Sequence, residues 1–160
     1  MAAKSSDAAR GFTLPELIAV LILVGILSVN VVPRLQGALS WRDDGWRDQV
    51  VAALHYAHKT AISHRRLVCA DVSGSAVTLT IASSNPATSC TSSLPGMDGG
   101  TASASSGGAN SASVSPAGSF YFQPSGRVTT DGAGITAAAR NIAISGQTNI
   151  VVIGETGRVD

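Results

Sequence analysis

From Phe12 to Val32 the chain is apolar apart from Thr13, Glu16, Ser28 and Asn30. At about 1.5 Å of rise per residue, a helix of this length covers the ~30 Å hydrocarbon core of a bilayer. The run therefore predicts a transmembrane helix over 12–33. Glu16 is out of place in it, because a carboxylate at membrane depth costs about 2.5–3.5 kcal/mol on insertion scales and marks a site whose partner has to be named. A secretory signal would end in a shorter apolar region followed by small residues. Here a polar leader, MAAKSSDAARG over 1–11, comes first and ends in Gly11. Lys4 and Arg10 favour a cytoplasmic N-terminus, against a weaker pull from Arg34 and Arg42 beyond the span.

A cut between Gly11 and Phe12 would give Glu16 its partner. The new α-amino group would lie four residues away, the spacing at which groups on adjacent helical turns meet. In a helix beginning at Phe12, Pro15 falls in the first turn, where its missing N–H has no intrahelical acceptor to lose. Glu16 then also benefits from the positive end of the helix dipole.

The stretch GFTLPELIAVLILVGIL resembles the type IV prepilin signal, shared by the pilin and pseudopilin superfamily. The resemblance implies cleavage after Gly11 by a prepilin peptidase, N-methylation of Phe12, and registration of Glu16 against a neighbouring subunit's terminal amine during assembly. Pro33 matches a proline common in these helices. Physically it removes the donor for the Val29 carbonyl, so it is expected either to kink the helix or to end it at the membrane surface.

With 160 residues the chain accommodates one modest domain beside the span. Charged residues are 13% and the formal net charge is +1, so no global field points to nucleic acid or anionic lipid. Beyond Pro33, an amphipathic continuation of the spine helix is expected over 34–64. Trp46, Val50, Ala53, Leu54, Ala57 and Ala61 recur on one face, and Arg47, Asp48, His55 and Lys59 fall off it. Residues 65–160 read as a β-sheet domain. LVCADV and AVTLTIA form a hairpin, FYFQPSGRV turns at Pro124-Ser125-Gly126, and RNIAIS with TNIVVI forms a further hairpin. The Ser/Gly/Ala/Asn-rich stretch 83–117 is expected to be a flexible excursion. Cys69 and Cys90 lack metal-type spacing. In an exported domain they read as one disulfide, in a cytosolic one as unrelated thiols.

The fold class expected is α+β and pilin-like, a long N-terminal hydrophobic and amphipathic helix packed on a C-terminal antiparallel sheet. FYFQPSGRV and ETGRV resemble the minor pilins and pseudopilins of GspH/FimT type, and DQVVAALHYAHKTAISHRR with the two cysteines resembles minor pilins of the mannose-sensitive haemagglutinin pilus. The resemblance implies a structural subunit of a type IV pilus. Its partners would be other pilins, the prepilin peptidase, the inner-membrane assembly platform and, before assembly, membrane lipid. The protein would be single-pass in a bacterial inner membrane, with its C-terminal domain in the periplasm and later in a filament. The alternatives are an H-type pseudopilin of type II secretion and a DNA-binding pilin for transformation. The last would make nucleic acid a partner through Arg127, Arg140 and Arg158, although the second arginine of the Gly-Arg-x-Arg motif is missing at both Gly126-Arg127-Val128 and Gly157-Arg158-Val159. His55, His58 and His64 share a helix with no carboxylate or cysteine at helical spacing to complete a metal set, and read as a solvated face. No nucleophile, phosphate-loop or metalloprotease motif is present, so neither an enzyme nor a cofactor is expected.

Overall fold

The computed structural model describes residues 13–96, 99–108 and 110–160, with the backbone alone described for 29–40. Helix α1 spans Leu14–His64. Its entry carries the return half of a capping box: Thr13 N donates to Glu16 Oε2 at 3.5 Å, while the Glu16 and Leu17 amides donate to the Thr13 backbone carbonyl at 3.1 Å each. Pro15 sits second in the helix, where an N–H would have had no partner. The helix runs on past Pro33, so the expectation of a stop there is corrected. The polypeptide on either side propagates helix strongly enough to carry one missing hydrogen bond.

The chain divides into two units, Met1–Ala38 and Leu39–Asp160, with the division inside α1. In the first, the described side chains from Leu14 to Ser28 are all exposed. Ser28 Oγ donates to the Val24 carbonyl at 2.7 Å, which satisfies its hydroxyl within the helix.

In the second unit α1 buries the stripe that its periodicity announces. Trp46, Val50, Ala53, Leu54, Ala57 and Ala61 are all at most 5% exposed. These side chains form one buried cluster with Val68, Val77, Leu79, Phe120 and Phe122 of the strands that follow. The facing layer begins with the hairpin of β1 (Val68–Val72) and β2 (Ala76–Ile81), in which Cys69 lies opposite Thr80. β6 (Phe120–Phe122) pairs with the other side of β1, and β7 (Val128–Thr129) with β6. Phe120, Phe122 and Val128 are fully buried. Alternation explains the pattern: Val77 and Leu79 point inward while Thr78 is exposed.

The stretch 83–117 differs from expectation. It carries β3 (Ser92–Leu94) and β4 (Ala104–Ser105), both paired with β2, and then β5 (Ala112–Ser115). β5 pairs antiparallel with β8 (Arg140–Ile144), which pairs with β9 (Ile150–Val152), giving a second, three-stranded sheet. Leu94, Ala104 and Ala112 anchor these strands in the core. Strands of two to four residues, mostly Ser and Ala, are too short to show an alternation, so only long-range pairing reveals them.

All the antiparallel pairs lie C-terminal to α1, and the fold is α+β. The C-terminal residues fold back on β9: Val151 and Asp160 exchange backbone hydrogen bonds at 3.0 and 2.9 Å. This closes an edge that would otherwise be open.

Candidate functional site

Gly11 and Phe12 lie outside the described residues. The stem beginning at Leu14 shows large aliphatic side chains on all sides: Leu14 is 74% exposed, Leu21 63%, Ile22 58% and Leu27 61%. An amphipathic helix would bury one stripe, and this segment has no polar face to turn to water. Among the described residues no helix is long and apolar enough to cross a membrane.

Glu16 is exposed and holds the Thr13 amide with one carboxylate oxygen. The local pattern Thr13-Leu14-Pro15-Glu16 is itself a helix-start signal of the form T-x-x-E, and reading it would have supplied this partner directly.

Cys69 and Cys90 are bonded, with their Cα atoms 6.1 Å apart. The bond ties the middle of the sheet, since Cys69 on β1 also faces Tyr121 of β6, to the segment leading into β3.

The three arginines considered for phosphate binding do not present a free cationic patch. Arg127 holds Glu155 through two hydrogen bonds, Nε to Oε2 at 3.1 Å and Nη2 to Oε1 at 3.4 Å. Arg158 pairs with Asp160, two residues along. Arg140 is only 3% exposed, which takes it out of a surface set for phosphate. Its Nη1 donates to the Pro116 carbonyl at 3.3 Å and its guanidinium lies 5.9 Å from the centre of the Phe120 ring. Burial pushes its pKa below the ordinary arginine value. Its side chain lies over Phe120, a contact between strands far apart in the chain that no local pattern announces.

His58 also departs from the solvated-face expectation, whereas His55 and His64 are exposed. Its Nε2 donates to the Gly126 carbonyl at 3.1 Å and its ring sits 5.9 Å from that of Phe122. Gly157 packs onto the same place: a Cβ there would lie 2.2 Å from the Gly126 carbonyl oxygen and 2.6 Å from His58 Nε2, and its φ is +67°. Val128 N donates to the Gly154 carbonyl at 2.7 Å. The motifs QPSGRV and GETGRV are thus two turns clasped together against α1.

A second constellation, built on Asp131, was not visible in the sequence. Its carboxylate accepts the Ile135 and Thr136 amides at 3.0 and 2.9 Å, and these bonds hold its pKa below the usual carboxylate value. Gln123 Nε2 donates to Thr129 Oγ1 at 2.8 Å beneath the loop.

Helix α1 ends in a Schellman motif. Arg66 N donates to the Ala61 carbonyl at 3.1 Å and Arg65 N to the Ile62 carbonyl at 3.3 Å. Arg65 takes the left-handed position with φ 51°.

No protein-family model matches the chain, and no curated protein matches it. Among solved structures it is similar to the type IV minor pilin FimU of Pseudomonas aeruginosa, at 16% identity with a TM-score of 0.45, covering 78% of this chain and 88% of that one.

Proposed function

We propose that this chain is a minor type IV pilin, made as a prepilin, held in a bacterial inner membrane with its sheet domain in the periplasm, and drawn from there into a filament. The observation that carries the reading is the stem, a helix whose aliphatic side chains are exposed on every side and whose one carboxylate sits in the first turn. Such a surface needs lipid or other stems around it, so membrane lipid before assembly and other pilins afterwards are its natural partners.

Cleavage after Gly11 by a prepilin peptidase, with methylation of Phe12, leaves the new amine next to Thr13. Glu16 uses Oε2 for the Thr13 amide, and its other oxygen is then the acceptor for a neighbour's terminal amine. A disulfide between Cys69 and Cys90 suits an oxidising, extracytoplasmic compartment. Arg127 and Arg158 already hold carboxylates and Arg140 is buried. DNA uptake through these three residues is therefore the weaker reading.

The test is the mass of the N-terminal peptide, taken from membranes and separately from sheared extracellular filaments. A peptide starting at methylated Phe12 in the sheared fraction is expected. The same peptide confined to membranes would favour a type II secretion pseudopilin, and an intact leader in both fractions would overturn the prepilin reading. Glu16→Ala is expected to be cleaved normally and to fail to enter filaments.

A further inference from the structure

The end of the second unit at which α1 enters it is closed by two loops tied to the first turns of the helix. Asn110 donates from N and Nδ2 to the two carboxylate oxygens of Asp43, at 2.7 and 2.8 Å, and Arg42 donates to the Gly107 carbonyl. On the turn between β8 and β9, the Thr148 carbonyl accepts from Arg47 Nε at 3.0 Å and the Ser145 carbonyl from Asn110 Nδ2 at 3.1 Å. The described residues of the two loops, 106–108, 110–111 and 145–149, are Ser, Gly, Asn, Gln and Thr, with no charged side chain among them.

Trp41 stands at the same end. It is 78% exposed, while Trp46, the other tryptophan of the chain, is 1% exposed. Among the described residues its indole has no hydrogen bond and no ring contact. An indole is a broad apolar surface with one N–H donor, so it is best placed where one side is apolar and the other wet. Asp44 and Asp48 follow three and seven residues later, both exposed, so this side of the helix turns acidic beyond the indole.

The nearest apolar medium is lipid. The apolar run of the sequence ends at Val32, nine residues before Trp41. Nine residues of helix are about 13.5 Å long, so the Trp41 backbone stands at most about that far above the hydrocarbon boundary, and the headgroup layer there is itself about 5–8 Å thick. Side chains on a helix tilt toward its N-terminus, here the membrane side, which carries the indole down toward the headgroups. Any lean of the helix shortens the distance further.

We infer that Trp41 docks the folded domain on the surface of the bilayer before assembly, with the indole at the level of the lipid carbonyls and the two neutral loops against the headgroups. Membrane interfaces collect tryptophan for this combination of an apolar ring and a polar edge. The recognition is not electrostatic. Arg42, Asp43 and Arg47 are already engaged with loop groups, and the exposed charges that follow Trp41 on its side of the helix are carboxylates. A zwitterionic lipid surface therefore suffices as the partner. The inference rests on the membrane reading of the stem and adds a second contact with lipid, made by the domain itself.

The test uses the full chain inserted in phosphatidylcholine vesicles. Trp41→Phe leaves Trp46 as the single tryptophan, so the wild-type fluorescence less that of the variant is the emission of Trp41. This emission is expected to shift to the blue on insertion and to lose most of its quenching by acrylamide in the water. Lipids brominated close to the headgroup are expected to quench it more than lipids brominated at the chain ends. Added anionic lipid or salt is expected to leave all three readings unchanged. Emission that stays unshifted and open to acrylamide would overturn the inference, as would docking that appears only with anionic lipid. Shielding that grows with protein concentration, without quenching by the brominated lipids, would give the indole to a second copy and overturn the bilayer as its partner. Co-flotation with the vesicles reports the stem separately, and both wild type and Trp41→Phe are expected to float. A chain that does not float would overturn the membrane reading together with this inference, whereas a floating chain with an open indole overturns the inference alone.

Discussion

Replacing both cysteines, Cys69→Ala with Cys90→Ala, removes a bond that closes a chain segment of sequence separation 21. In the chain-entropy treatment, a loop of that length restrains the unfolded ensemble by about 11 cal/mol/K, or about 3.4 kcal/mol at 25 °C. The second unit, Leu39–Asp160, has about 120 residues, and its unfolding entropy near the transition is about 0.25 kcal/mol/K. The melting temperature should therefore fall by about 13 °C. The segment that is closed includes β2, which pairs with β1, β3 and β4, so the bond limits the unfolded chain across the most connected strand of the larger sheet. Thermal melts by circular dichroism, run on the double variant and on the wild type with and without reductant, measure the effect. The reduced wild type should melt close to the double variant. A fall under about 3 °C, with native spectra before melting, would refute the loop-entropy reasoning.

Three further outcomes follow from the geometry. Gly157→Ala places a Cβ against the Gly126 carbonyl and His58 at a positive φ, and should cost about 2 kcal/mol or more in urea melts; a neutral result would mean that the two turns are not clasped. Arg65→Gly relieves a left-handed arginine and should stabilise by about 0.5–1 kcal/mol, the strain relieved exceeding the added freedom of the unfolded chain; a loss of stability would show that the side chain serves its own fold. The folded-state pKa of Asp131 lies below its unfolded value because the Ile135 and Thr136 amides bind the carboxylate. Its contribution is present above about pH 3.8 and is lost as pH falls through the lower folded value. Wild type should therefore lose more stability on acidification than Asp131→Asn, and parallel losses would remove the carboxylate from the account.

The spine and its buried face were legible in the sequence because they are periodic. The six core positions of α1 from Trp46 to Ala61 are spaced by the helix itself, and every one of them is buried. The three hairpin regions were legible for the same kind of reason: β1 and β2 alternate, Gly126 allows a turn, and β8 and β9 flank a short polar link. The T-x-x-E cap was present in the same letters and required only that Glu16 be compared with Thr13.

What the tertiary structure decided is whatever depends on partners distant along the chain. Three short strands within 83–117, mostly Ser and Ala, pair with the edges that β2 and β8 offer, and no local pattern encodes that. Arg127 and Arg140 look alike as letters. One finds Glu155 at the surface, while the other is buried over Phe120, and only the crossing of strands separates them. The sequence by itself determined an apolar stem, an amphipathic spine and a sheet, because hydrophobic periodicity is a local property of the chain. The fold determined which charges find a partner within the chain, because pairing is a matter of distance in space.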